Sequence, residues 1–202
     1  MERWVLLRKG ADFEAIGKKY QISPRLACLI RNRDVIGEEA VDRYLNGTIS
    51  DLYDGMLMKD MDKAIDILKE KILEDKKIRV IGDYDIDGVN ATYILLEGLE
   101  RLGADVDSDI PDRISDGYGL NRHLVERAYE AGVDTLITCD NGIAAADEIA
   151  YGKEMGMTVI VTDHHEVPFD EQDGEKRYRI PPADAVMDPK QPDCLYRMWP
   201  LS

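Results

Sequence analysis

The sequence predicts an α/β protein, a mostly parallel sheet with flanking helices, preceded by a small helical segment. Three observations predict it. From residue 77 onward, short β-branched runs alternate with amphipathic stretches of helical period. The first 75 residues carry helical spacing and no such alternation. Acidic and histidine-containing clusters directly follow three of the β-branched runs, where open α/β sheets place their ligands.

In the N-terminal segment, residues 1–75, "SPRLACLIRNR" opens with Ser23 and Pro24 as a cap and first-turn pair. "MDKAIDILKEKILED" repeats Ala64, Ile65, Leu68 and Ile72 on one helical face. Nothing here looks chemical, and packing is its expected role. After Lys76 the pattern changes, and residues 76–202 form the expected second domain. "KIRVIG" is a strand and "GVNATYILLEGLERLG" a helix closed by Gly103. "ADVDSDIP" offers a weaker strand, and "NRHLVERAYEAG" another helix with a terminal glycine. "DTLITC" and "TVIVT" are strands on either side of the helical "IAAADEIAYGKEMG". No internal repeat or low-complexity tract interrupts the series.

The chain has 202 residues, 44% apolar and 33% charged, a composition of globular rather than disordered proteins. Its 26 basic and 41 acidic side chains give a net charge of −15, which repels nucleic acid unless cations intervene. Three scattered cysteines without a CxxC pair point to a reduced, cytoplasmic protein. No signal peptide and no run of about 20 apolar residues is present, so no membrane association is expected.

Within "VIGDYDIDGVN", Asp83, Asp85 and Asp87 alternate with Tyr84 and Ile86. Three carboxylates this close repel one another unless water or a cation screens them. In an extended segment the alternation points all three to one side. The stretch also fits the start of a calcium-binding loop, D-x-[DN]-x-[DN]-G, but the twelfth position is Ile94 rather than Glu, and a strand precedes it. A plain strand-to-helix turn capped by Asp87 would explain one carboxylate of the three.

Asp140 of "CDNG" follows the third strand, and Asp163, His164 and His165 of "TDHHEVP" follow the fourth. Each cluster alone reads as an ordinary polar turn. Together they fall on one edge of the sheet and predict a metal site. An adjacent aspartate is the usual partner that orients a ligating imidazole. Oxygen-rich ligands with one or two imidazoles suit Mn²⁺ or Mg²⁺. Four or more carboxylates can hold two ions, the usual device for displacement at phosphorus. His123, near the start of a helix, reads as a surface residue.

"DYDIDG", "DNG" and "TDHHEVP", in this order, resemble motifs of the DHH phosphoesterase superfamily. Within it, "VIGDYDIDGVNAT", "PDRISDGYGLN" and "ADAVMDPKQPDCLY" are similar to the RecJ family of bacterial single-strand-specific 5′→3′ DNA exonucleases. The likeness runs from about Asp60 to Tyr196. It implies a hydrolase acting on single-stranded DNA in repair and recombination. It also implies a pair of Mn²⁺ (or Mg²⁺) ions held by Asp85, Asp87, Asp140 and His164, with Asp83 beside them. Asp163 would orient an imidazole, His165 would face the substrate phosphate, and Arg113 would contact a phosphate. Tyr118 and Asn141 would contact the substrate.

Relatives use a further aspartate from a later strand, then a DHH-associated domain and a nucleic-acid-binding fold. The expectation is therefore the N-terminal catalytic part of a longer enzyme, truncated at its C-terminus. Two other readings stay open: a superfamily phosphoesterase for oligoribonucleotides, cyclic dinucleotides or pyrophosphate, and a RecJ-like binding module without activity. Oligomeric state is not legible.

Overall fold

The computed structural model describes residues 9–114, 117, 119–172 and 174–196. The chain divides into two compact units between Asp54 and Gly55.

The first unit is helical: α1 (Phe13–Tyr20), α2 (Pro24–Asn32) and α3 (Glu38–Asn46), then a 3₁₀ turn at Ile49–Asp51. Asp12 caps α1 by accepting the Ala15 N–H at 2.9 Å, and Ser23 caps α2 by accepting the Leu26 N–H at 3.2 Å, with Pro24 in the first turn. Ile30, Val35 and Val41 are buried at its centre, with Ile16, Tyr20 and Leu45 packed against them.

The second unit opens with a 3₁₀ turn (Gly55–Leu57) and α4 (Met61–Leu73). There follow β1 (Ile78–Ile81), α5 (Ile86–Arg101), β2 (Val106–Asp109), α6 (Arg122–Glu130), β3 (Thr135–Cys139), α7 (Ala146–Glu154) and β4 (Thr158–Thr162). β5 (Phe169–Gln172) and β6 (Glu175–Tyr178) form a separate antiparallel ribbon, and β7 (Ala185–Met187) rejoins the main sheet. That sheet has five strands in the order β2-β1-β3-β4-β7, and every pairing in it is parallel.

β1, β3, β4 and β7 are largely apolar because both faces are covered, whereas the edge strand β2 (VDSD) is polar and only half-buried. Alternate residues sort between two layers. Ile78, Val80, Ile137, Cys139, Ile160 and Ala185 meet Ala64 of α4 and Leu99 of α5. Ile81, Leu136, Val159, Val161 and Val186 meet Leu124 and Val125 of α6 and Ile149 of α7. The sheet unit therefore begins at Gly55, before the boundary expected near 75. The apolar face of "MDKAIDILKEKIL" packs on the sheet, with Ala64 at 1% exposure, and α4 belongs to the strands rather than to the helices before it.

Strand order creates the site's location. From β1 the chain crosses α5 to β2 on one side, then crosses α6 to β3 on the other side of β1. β1 and β3 are thus neighbours whose following segments diverge, leaving a crevice at their carboxyl ends.

At the β7 edge, side chains complete the backbone hydrogen bonding. Asp60 Oδ2 accepts the Val186 N–H at 3.0 Å, and Gln191 Nε2 donates to the Val186 carbonyl at 2.7 Å. Both atoms would otherwise be orphaned on a strand whose central residue is 3% exposed. Asp60→Ala removes the acceptor and is expected to cost about 1–3 kcal/mol. A lower urea midpoint with unchanged denaturant slope would register that loss.

Candidate metal centre

The segment after β1 is shaped by the start of α5. Asp85 is the N-cap, its Oδ1 accepting the N–H groups of Asp87 at 2.9 Å and Gly88 at 3.0 Å. The helix starts so close to the strand end that a Cβ on Gly88 would lie 2.5 Å from the Asp83 carbonyl oxygen and 2.7 Å from its nitrogen. Thr92, one turn on, donates its hydroxyl to the Gly88 carbonyl at 2.7 Å and lies 3.3 Å from the Cys139 thiol.

Asp83 is thereby pressed into the crevice, 1% exposed, and neither of its carboxylate oxygens has a hydrogen-bond partner among the described residues. The Gly88 N–H, together with that of Asp87, holds the exposed Asp85 carboxyl below the usual carboxylate range.

After β3, Asp140 takes a left-handed backbone conformation (φ 60°), one that aspartate tolerates better than most residues. Gly142 follows at φ 112°, where a Cβ would collide with the Thr138 hydroxyl. This turn aims the Asp140 carboxylate back at the loop after β1. Burial, reinforced by the charge of Asp85, raises its pKa despite a 2.8 Å contact with His164 Nε2.

After β4, Asp163 is consumed by hydrogen bonds. Its Oδ1 accepts the backbone N–H of His164 at 2.7 Å and of His165 at 3.2 Å, and meets His165 Nδ1 at 2.7 Å. Its Oδ2 accepts the Ile143 N–H at 2.9 Å, tying this loop to the one after β3. Burial works against the imidazolium of His165, but the Asp163 bond and charge outweigh it and raise the pKa.

Two overlapping groups result. Ligand atoms of Asp83, Asp85 and Asp140 lie within 4.8 Å of one another, and so do those of Asp140, His164 and His165. Three carboxylates and two imidazoles without a thiolate make a donor set for a hard or borderline divalent ion. The two orphaned oxygens of buried Asp83 are what such an ion would satisfy, and the residues fit the metal.

The remaining expected residues fall elsewhere. Asp87 belongs to neither group, because the helix begins at Ile86 and breaks the extended alternation that would have aligned it with Asp83 and Asp85. The cap is Asp85 rather than Asp87. Asn141 is 2% exposed, and its amide donates to the carbonyls of Ile81 at 3.1 Å and Cys139 at 2.9 Å. It clasps the ends of β1 and β3. The Arg113 guanidinium lies over the Tyr84 ring, 5.3 Å from its centroid. Tyr118 lies outside the described residues. His123 is exposed on α6.

The sequence reading omitted Asp188, at the end of β7. It is fully buried, its Oδ1 accepts the Lys190 N–H at 2.7 Å, and its Oδ2 has no partner among the described residues. Burial, with the charge of Asp163 behind it, pushes its pKa up to about 6. The available signal was an aspartate directly after a short β-rich run, as at Asp140 and Asp163.

Residues 77–195 match the DHH family, N-terminal domain. The chain belongs to that family. It is similar to the single-stranded-DNA-specific exonuclease RecJ of Bacillus subtilis (38% identical over 195 residues, 96% of this chain and 24% of the relative). RecJ of Escherichia coli is 30% identical over 197 residues, covering 97% of this chain and 32% of the relative. The chain thus spans about a quarter to a third of these relatives' length. Among solved structures, exonuclease RecJ bound to manganese superposes with a TM-score of 0.57 at 39% identity, covering 67% of this chain and 33% of that one. RecJ of Thermus thermophilus in complex with Mn²⁺ gives 0.56 at 29% identity, covering 95% and 26%.

Two expectations follow from the geometry. Gly88→Ala forces α5 off the Asp83 backbone and should cost about 1–3 kcal/mol in denaturant unfolding, while weakening Mn²⁺ binding in calorimetry. Asp188 supplies a pH signature in the chelator-treated protein. An acid whose pKa rises on folding opposes folding once ionised, so its cost is absent below the unfolded value of 3.8 and complete above about 6. Wild-type protein should lose on the order of 2–3 kcal/mol across that window relative to Asp188→Asn. Parallel stability curves for the two proteins would contradict this.

Proposed function

We propose that this chain carries the metal-dependent phosphodiesterase centre of a RecJ-type exonuclease that degrades single-stranded DNA from its 5′ end. The observation that carries the reading is the pair of ligand groups sharing Asp140 at the β1/β3 switch point. The likeness to RecJ proteins named as single-strand-specific, and to RecJ structures bound to Mn²⁺, supports it.

Asp83, Asp85 and Asp140 would hold one Mn²⁺ or Mg²⁺, and Asp140, His164 and His165 a second. Such a pair would supply a hydroxide near neutral pH and neutralise charge on a bound phosphate. The protein's own contribution is to keep Asp85 deprotonated and the ligands aimed. Backbone N–H groups keep Asp85 ionised. Asp163 fixes the ring of His165 by its Nδ1 and both histidine N–H groups by the same oxygen. Asn141 holds β1 and β3 together, so that Asp83 and Asp140 stay opposite each other.

In this reading His165 holds metal rather than facing the phosphate, and Asp87 has no ligand role. Arg113, on the rim over Tyr84, offers a planar cation to a phosphate of the strand. A role in repair and recombination, and a cytoplasmic location in keeping with three free cysteines, are parts of the same reading. Among the described residues, no helix is long and apolar enough to cross a membrane.

The test is incubation with Mn²⁺ and single-stranded DNA labelled at either end. Metal-dependent release of mononucleotides from the 5′ end is expected. Asp140→Ala and His164→Ala should each reduce it by about a hundredfold or more, the scale of losing one preorganised charge contact, with circular dichroism unchanged. Hydrolysis of pyrophosphate or a dinucleotide with DNA left intact would overturn the assignment.

A further inference from the structure

The loops after β4 and β7 are joined by an ion pair that the site, as described, does not use. Register sets Thr162 beside Met187, and the Asp163 N–H donates to the Met187 carbonyl at 3.0 Å. Asp163 and Asp188 therefore leave adjacent strand ends. Asp188 Oδ1 accepts the Lys190 N–H and turns the chain. The Lys190 ammonium then reaches back to Glu166 Oε1 at 3.0 Å, and Glu166 directly follows His165.

The two partners are unlike. The Lys190 side chain is 27% exposed, whereas that of Glu166 is 86% exposed. The lysine stem is packed, and the carboxylate it meets stands in water. Such a pair contributes little and exchanges readily.

Its place in the fold is informative. The ligand carboxylates and imidazoles follow β1, β3 and β4, in the middle of the sheet. Arg113 follows β2, at one edge, and Lys190 follows β7, at the other. A row of anionic groups is thus bracketed by a cation at either end. A polyanionic strand laid along the carboxyl edge needs that distribution, since the row itself repels it.

We propose that Lys190 is a substrate-binding residue that exchanges Glu166 for a phosphate oxygen of the nucleic-acid strand. The inference rests on the reading above that the substrate is a single-stranded polynucleotide. It extends that reading to the far side of the histidines. A flexible point charge suits a phosphate whose approach varies along a moving strand, where the planar fork of an arginine would be restrictive. Glu166 keeps the ammonium in place between substrates and is displaced by the strand, whose phosphate charges add along the backbone.

The experiment is binding of a fluorescent, phosphorothioate-linked oligothymidylate to the protein in Mn²⁺, measured by anisotropy across a salt series. Wild type, Lys190→Ala, Lys190→Arg and Glu166→Gln are compared. One phosphate contact accounts for about 0.7 in the slope of log affinity against log salt for a single strand. Lys190→Ala should weaken binding about tenfold and flatten the slope by that amount, while Lys190→Arg keeps the slope. Glu166→Gln should bind as tightly as wild type or more tightly, because it frees the ammonium.

If Lys190→Ala and Glu166→Gln weaken binding equally, with lower melting temperatures and unchanged slopes, the pair is only a tie between loops and the proposal falls. It also falls if wild type does not bind the oligonucleotide. Hydrolysis of unmodified DNA is scored separately. A Lys190-dependent slope in a protein that releases no nucleotide would leave this contact standing and remove the exonuclease reading. Normal hydrolysis with identical slopes would do the reverse.

Discussion

Helix α5 begins so close to the end of β1 that a side chain at Gly88 would collide with the Asp83 backbone at 2.5 Å. Much of the centre follows from that approach. It buries Asp83 where no protein donor among the described residues reaches its oxygens. It brings the Gly88 N–H onto Asp85 and keeps that carboxylate ionised. It also leaves the Gly88 carbonyl to the Thr92 hydroxyl, which locks the first turn of α5 against Cys139 of β3. A looser helix start would let the carboxylates rotate into water, where three like charges prefer to be. The glycine thus keeps them converged when no cation is present to draw them together.

The electrostatics of the sheet edge divide its acids by environment. Asp85 is held charged by backbone N–H groups, and Asp163 has both oxygens engaged by the loops it joins. Asp140 and Asp188 pay for burial with raised pKa values. A divalent ion reverses that balance for the acids it touches, since its own charge is the largest in the site. The net charge of −15 is in the same sense. The protein's field is a poor attractor for a polyanion, so under the proposed function local positive charge has to do that job.

The alternation of runs after Lys76 made the parallel sheet legible, because a strand covered on both faces must be apolar throughout. The polar clusters after β1, β3 and β4 were legible for a related reason: acids directly after such a run have only the strand end to occupy. Other features were hidden by what decides them. Asp87 and Asp83 look equivalent in the sequence, and only the helix start at Ile86 separates them. Asn141 looks like a turn residue, and its role depends on Ile81, sixty positions away, reaching the same point in space. α4 has the periodicity of any amphipathic helix, which says that it packs but not on what. β7 spans three residues, too few for a pattern to register, and Asp188 was missed with it.

β7 also shows how the centre is tied to the rest of its unit. The strand has one neighbour in the sheet, and its other edge is completed by Asp60, ahead of α4, and Gln191, beyond the strand. The same two segments meet again where the Lys59 ammonium pairs with Asp193 at 2.8 Å and the Lys59 N–H reaches the Cys194 sulfur at 3.4 Å. These contacts fix the turn from Asp188 to Cys194, and that turn is what positions the Lys190 ammonium beside the loop of His164 and His165. Side chains that satisfy an exposed strand edge are usually a defence against pairing with another chain. Here the satisfied edge also anchors the loop on the histidine side of the metal centre. Asp60 and Gln191 thereby support the placement of Asp188 and Lys190.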